Sequence, residues 1–338
     1  MKKLISLICV LAMVLALAAC GSSAPAAATE APAASTEAPS ADVSADKTFV
    51  VGICQLVQHP ALDAATQGFK DALTEALGDK VTFQEQNASG DSATCSLICN
   101  QFVSDEVDLI MANATASIQA AASATNTIPI LGTSITDYGV ALGVDNWTGV
   151  SGTNISGTSD LAPLDGQAAM IQELFPDAKT IGLLYCSGEP NSIFQADSME
   201  ALLTDMGYSV ERYTFADSND VSSVTANACS NSDVLYIPTD NTAASCTEAI
   251  NNVALSAGIP IVAGEEGIAS GCGVATLSIS YYDLGRATGE MAAEILTEGA
   301  DISTMEVRFA PAFTKEYNAD ICEALNITVP EDYVAIAK

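Results

Sequence analysis

The chain is 338 residues long and carries a formal net charge of −31. That balance excludes a nucleic-acid surface, which needs clustered Lys and Arg to neutralise phosphates. Beyond its first 46 residues the chain is long enough for about two domains.

Lys2 and Lys3 precede an apolar run over residues 4–19, broken only by Ser6. This is the pattern of a secretory signal, a little short for a spanning helix. It ends in Leu17-Ala18-Ala19-Cys20-Gly21, which resembles the bacterial lipobox, where the Cys becomes a lipid-bearing N-terminus. The expectation is a signal peptide over 1–20 and lipidation at Cys20. The lipid would hold the chain on the outer face of a membrane that it does not span. Residues 21–46 are mostly Ala, Pro, Ser, Thr and Glu, and cannot bury enough surface to fold. They read as a disordered tether.

From residue 47 short apolar strands alternate with helical patterns. Strands are predicted over 49–54, 81–86, 108–112 and 128–131, and helices over 60–77, 92–104 and 117–126. The strands are continuous apolar runs, as in parallel sheets covered on both faces. The pattern then restarts. Strands fall over 180–185, 209–215, 234–237, 260–263 and 274–278, with helices over 193–206, 221–228, 242–257 and 282–298. The joint, 157–166, is rich in Gly, Ser, Thr, Asp and Pro and reads as a hinge; 307–313 reads as a further extended crossing.

Two sets of βα units imply an α/β chain with two Rossmann-like, doubly wound parallel-sheet lobes. Joined by several crossings, they resemble a type I periplasmic binding protein. In that fold the helix from residue 282 returns to the first lobe. The resemblance implies an N-terminal lobe of 47–163 with 282–301, and a C-terminal lobe of 164–281 with 302–338.

In open parallel sheets ligands bind beyond the carboxyl ends of the strands. The loops there, at 55–60, 113–117, 132–137, 186–192, 238–242, 264–267 and 280–283, are dense in hydroxyls, amides and carboxylates and contain no Lys or Arg. An anion normally meets a basic clamp, so a sugar phosphate or dicarboxylate is disfavoured. Thr115, Ser117, Ser134 and Ser192 sit where helices begin, and free N–H groups there can hold a single carboxylate. Glu189, Asp240, Glu265, Glu266 and Asp283 can neutralise an ammonium. The set fits a zwitterion, although each residue alone is also explained as a helix cap. His59 either bonds a ligand or orders its own loop. Tyr281, Tyr282, Tyr138 and Trp147 either stack on a ligand or pack in the core.

Catalytic signatures are missing from the sequence: no G-x-S-x-G elbow, P-loop or G-x-G-x-x-G occurs. A single His leaves little room for a catalytic triad, and with the cysteine spacing it argues against zinc. No metal or cofactor is expected. Cys54, Cys95, Cys99, Cys186, Cys229, Cys246, Cys272 and Cys322 read as free thiols packed as small hydrophobes, which suggests a reducing habitat. One or two disulfides remain compatible with them.

Several segments together resemble the ABC transporter substrate-binding lipoproteins of the tryptophan/tyrosine uptake type. They are 51–55 followed by 59–65 and Gly68-Phe69, 101–105 with 107–110, 238–242, 264–267 and 281–285. The likeness spans nearly all of 47–327. It implies a monomeric, non-enzymatic protein that closes on a small organic solute, an aromatic amino acid among its ligands, and hands it to an ABC permease and ATPase. By position it implies ligand contacts at Gln55, Thr115, Ser134, Ser187, Glu189, Asn191, Ser192, Asp240, Glu265 and Asp283. A sensory binding protein presenting its ligand to a membrane receptor would have the same cleft. An extracellular enzyme on the same fold is a third reading.

Overall fold

A computed structural model describes residues 47–337. The signal, Cys20 and the tether lie outside the described residues.

The chain first lays down β1 (Phe49–Gln55), α1 (Pro60–Leu77), β2 (Val81–Asn87), α2 (Ser92–Ser104), β3 (Leu109–Asn113), α3 (Thr115–Ala124), β4 (Ile130–Ile135), α4 (Tyr138–Leu142) and β5 (Ile155–Ser159). Next come α5 (Leu164–Leu174), β6 (Thr180–Cys186), α6 (Pro190–Asp205), β7 (Ser209–Phe215), α7 (Val221–Asn231), β8 (Val234–Ile237), α8 (Asn241–Ser245), α9 (Thr247–Ala257), β9 (Ile261–Ala263), α10 (Glu266–Cys272) and β10 (Ala275–Ser278). It ends with α11 (Tyr281–Glu298), β11 (Arg308–Phe309), β12 (Thr314–Tyr317), α12 (Ala319–Leu325) and β13 (Val334–Ala335).

Two sheets result, ordered β11-β5-β4-β3-β1-β2 and β13-β12-β10-β9-β8-β6-β7. All pairs in the first are parallel. In the second only β10–β12 is antiparallel. Every residue of β3, β4 and β8 is buried, which explains why these strands read as unbroken apolar runs.

The chain passes between the lobes at 160–163, 279–280 and 310–313. The last crossing differs from the expected boundary at 301/302. Ile302 and Met305 pack in the first core, and β11 pairs with β5, so 302–309 stay with the first lobe. The helix read over 242–257 is broken at Cys246, whose backbone (φ −121°, ψ 17°) leaves the helical region between α8 and α9.

Helices α1 and α11 pack along one another over the first sheet. Small residues let the backbones approach. A Cβ on Gly285 would collide with the Ala65 carbonyl, and one on Gly68 with the Tyr282 carbonyl. Gly285→Ala gains up to about 1 kcal/mol of helix propensity, but overpacking costs about 1–3 kcal/mol. Urea unfolding of Gly285→Ala is expected to show a net loss of stability; an unchanged or higher midpoint would mean that the helices separate freely.

Candidate functional site

The strand-end loops of both lobes close around a small cavity of about 10 Å³. His59, Ser134, Thr136 and Asp160 line it from the first lobe, and Asn191, Thr239, Asp240, Asn241 and Glu265 from the second. Tyr281, opening α11, completes the wall.

Local backbone chemistry sets each of these groups. His59 is the extended residue before Pro60, which starts α1 where a missing N–H is harmless. Ser134 lies in a bulge of β4 with φ +56°, a strained left-handed conformation for a serine. Tyr138 steadies that bulge by donating from its hydroxyl to the Gly132 carbonyl at 3.1 Å and the Thr158 carbonyl at 3.2 Å. Asp160 begins the first crossing, and its Oδ2 accepts from the Tyr281 hydroxyl at 3.0 Å. Asp240 caps α8, accepting from Ala243 N at 2.7 Å and Cys186 N at 2.6 Å. Glu265 caps α10 through the N–H groups of Gly267 and Ile268.

The lining carries three buried carboxylates and no Lys or Arg. Burial pushes the Asp160 carboxyl up to about 6, against the hydrogen bond from Tyr281. It pushes Glu265 up to about 7, against its two backbone donors. Asp240 is raised by burial and then by the nearby Glu189. In each case a low-dielectric site disfavours the charged form.

Three polar atoms on the lining residues are buried without a hydrogen-bond partner: His59 Nδ1, Ser134 Oγ and Asp160 Oδ1. Leaving such a group unpaired costs about 1–3 kcal/mol. Between them they offer acceptors and a hydroxyl donor to one small volume.

Hydrogen bonds join the lobes here. His59 Nε2 lies 3.2 Å from Asn241 Oδ1, Thr136 Oγ1 lies 3.4 Å from Thr239 Oγ1, and Gln195 Nε2 donates to Thr136 Oγ1 at 3.3 Å. An interlobe groove of about 380 Å³ shares Asn241 with the cavity; its apolar walls include Leu56, Val57, Ala116 and Ala216.

Of the residues singled out from the sequence, the structure brings Ser134, Asn191, Asp240 and Glu265 to the cavity. Thr115 and Ser192 are buried in the first turns of α3 and α6, off its lining. The other four are placed elsewhere. Gln55 is spent inside the first lobe: it donates to Asp63 Oδ1 at 2.6 Å and accepts from Thr66 at 2.6 Å. Ser187 is exposed and donates to the Phe215 carbonyl at 3.2 Å. Glu189 lines the adjoining interlobe groove and is held by the start of α8, accepting from Thr242 N at 2.8 Å and Asn241 N at 3.0 Å. Asp283 is on the exposed side of α11.

The sequence reading did not select Thr136, Asp160, Thr239 or Asn241. Three of them lie in loops it had marked, and Asp160 lies inside the segment it read as a hinge. The eight Cys of the described residues form no disulfide, and all but Cys246 are buried.

Residues 50–338 match the ABC transporter substrate binding protein family. A tyrosine-binding protein of Clostridioides difficile is 38% identical over 280 residues, covering 82% of this chain and 81% of that protein. A Streptococcus pneumonia ABC domain in complex with L-Trp is similar in structure, with TM-score 0.80 and 32% identity over 84% of this chain and 97% of that one. A ligand-free, open substrate-binding protein with adhesive properties from Clostridium difficile is more similar in sequence, at 37% identity over 86% and 99% of the two chains. It nevertheless superposes less well, with TM-score 0.66. With its two parallel-sheet lobes, its interlobe cavity and these matches, the chain belongs to the ABC transporter substrate-binding proteins.

Proposed function

We propose that this protein binds one aromatic amino acid, tyrosine or tryptophan, as a zwitterion and delivers it to an ABC permease and ATPase. The carrying observation is the convergence of His59 Nδ1, Ser134 Oγ and Asp160 Oδ1, all unpartnered, on a cavity lined by carboxylates. Asp240 and Glu265 spend oxygens on capping α8 and α10, so Asp160 is the carboxylate with an oxygen left for the ligand ammonium. The Ser134 hydroxyl donates to the ligand carboxylate. The side chain lies toward the apolar walls of the adjoining groove. The names of the tyrosine-binding relative and the L-Trp complex support the ligand class.

Capture works by closure. A ligand touching both lobes adds to the His59–Asn241 and Thr136–Thr239 contacts, which exist only with the lobes together, and so favours the closed form. No bond of the ligand is made or broken in this role. The signal and lipobox-like sequence support attachment outside the cell by lipid on Cys20.

A thermal-shift screen of amino acids, sugars and nucleosides tests the ligand class. At about 100 times its Kd, tyrosine or tryptophan should stabilise the fold by about 2.7 kcal/mol; a response only to sugars or nucleosides would reject the zwitterion site.

The role of Asp160 has its own pH signature. A carboxyl whose folded pKa is raised keeps its full contribution below its unfolded value and loses it as pH rises through about 6. The rise from 3.8 to about 6 corresponds to about 3 kcal/mol. Asp160→Asn should therefore gain stability relative to the parent by up to about that amount between pH 4 and 7. A difference that does not change with pH would remove the buried charge from the account. Amino-acid affinity of the parent should fall below pH 6, by up to about tenfold per unit, as Asp160 takes up a proton; isothermal calorimetry at pH 5 and pH 7.5 reads this directly, and equal affinities would sever Asp160 from the ammonium.

A further inference from the structure

The cavity of about 10 Å³ has room for about one water-sized group. Asp160 Oδ1 and His59 Nδ1, on two of its lining residues, are both buried without a partner. An ionised carboxylate only accepts, so Asp160 Oδ1 requires a donor. The state of His59 is set from the neighbouring groove.

Glu189 lines that groove and accepts from Asn241 Nδ2 at 2.8 Å and Thr242 Oγ1 at 2.7 Å. A carboxylate only accepts, so this contact fixes which end of the Asn241 amide is nitrogen. The Asn241 carbonyl oxygen is thereby turned across the cleft, 3.2 Å from His59 Nε2. That oxygen also only accepts, so Nε2 carries a proton. His59 is 6% exposed, and burial lowers its pKa against the opposing pull of Asn241, Glu189 and Asp63. The ring is therefore neutral near pH 7. A neutral imidazole has one N–H, which leaves Nδ1 as a bare acceptor.

One small group must thus donate to two acceptors at once. A hydroxyl has a single proton and cannot. A primary ammonium has three, and it also brings positive charge to a lining with three buried carboxylates and no Lys or Arg. We propose that His59 is a specificity-determining residue of the site: its Nδ1 and Asp160 Oδ1 together accept from a primary ammonium, and the small cavity around them excludes a substituent on that nitrogen. Glu189 is a positioning residue, acting on the ring through Asn241. The inference rests on the amino-acid reading above and deepens it, because it restricts the ligand to amino acids whose amino group is unsubstituted. A site built around buried acceptors rejects a ligand that leaves one unpaired.

The test is calorimetric titration of the full-length chain at pH 7.5 with tyrosine, N-methyltyrosine and N,N-dimethyltyrosine. The series keeps the side chain and the positive charge while the nitrogen gains bulk and loses N–H groups. Each methyl should weaken binding by at least about tenfold. A total loss of less than about tenfold across the series would overturn the pairing of His59 with Asp160 and leave the amino-acid reading standing. No binding of any amino acid would defeat both.

The chain has a single His, so ¹⁵N imidazole spectra report this ring alone. They should show Nε2 protonated and Nδ1 bare before ligand is added. Tyrosine and tryptophan should then move Nδ1 alike to a hydrogen-bonded shift, because the ammonium is common to both. An Nδ1 resonance that keeps its bare value in the tyrosine complex would remove His59 from the ammonium. Glu189→Gln frees the Asn241 amide to turn over. This variant should mix the two tautomers and bind tyrosine and tryptophan several-fold more weakly. A folded Glu189→Gln protein with the parent's tautomer and affinities would break the relay from Glu189.

Discussion

The structure is organised around carboxylates held away from water with no basic side chain beside them. Asp160, Asp240 and Glu265 share one small interlobe volume. Ionised groups in such a place need compensation, and the fold supplies it unequally. Asp240 and Glu265 lie at the starts of α8 and α10, where backbone N–H groups point at them. Asp160 has side-chain hydroxyls, Tyr281 foremost, and its own backbone N–H in place of a helix N-terminus, and its Oδ1 keeps no hydrogen-bond partner. The remaining deficit is what a ligand ammonium makes good, so discrimination for a cationic group comes from an omission in the fold rather than from an added contact.

Closure follows from where these groups sit. Asp160 and Tyr281 lie at two of the crossings and bond to each other, so they belong to the joint about which the lobes move. His59 and Thr136 come from one lobe, Asn241 and Thr239 from the other. A ligand held by Asp160 and His59 is thus fastened to the joint and to a lobe edge together. Binding energy and domain motion are coupled through adjacent side chains, without a long relay across either core.

Much of the architecture could be read from the chain. Apolar runs such as those read over 108–112 and 234–237 announced parallel strands, because burial on both faces leaves no alternation to see. Pro60 marked the start of α1, and the strand-end rule pointed to the loops that form the cavity. The errors have a common origin. Whether an acidic residue after a strand faces a ligand or caps a helix depends on side-chain direction, which spacing does not reveal. Glu189 and Asp240 follow neighbouring strands and look alike in sequence, yet one serves the start of α8 from outside and the other lines the cavity. Asp160 escaped notice because it stands among Gly, Ser and Pro in a segment that reads as a joint. Cys246 breaks a helix that periodicity alone joins into one, because its non-helical backbone carries no signal in the apolar spacing.

The interleaving of the lobes also bears on how the protein is made. The first lobe opens the folded chain, but α11, which covers its α1, and β11, which extends its sheet, emerge only after β10 of the second lobe. The central strands β6 to β10 of the second lobe are contiguous and can pair as they appear. The usual order, in which the N-terminal unit matures first during synthesis, is therefore set aside. The face of α1 that α11 covers therefore stays open until most of the second lobe is also available, so the first lobe cannot be completed on its own.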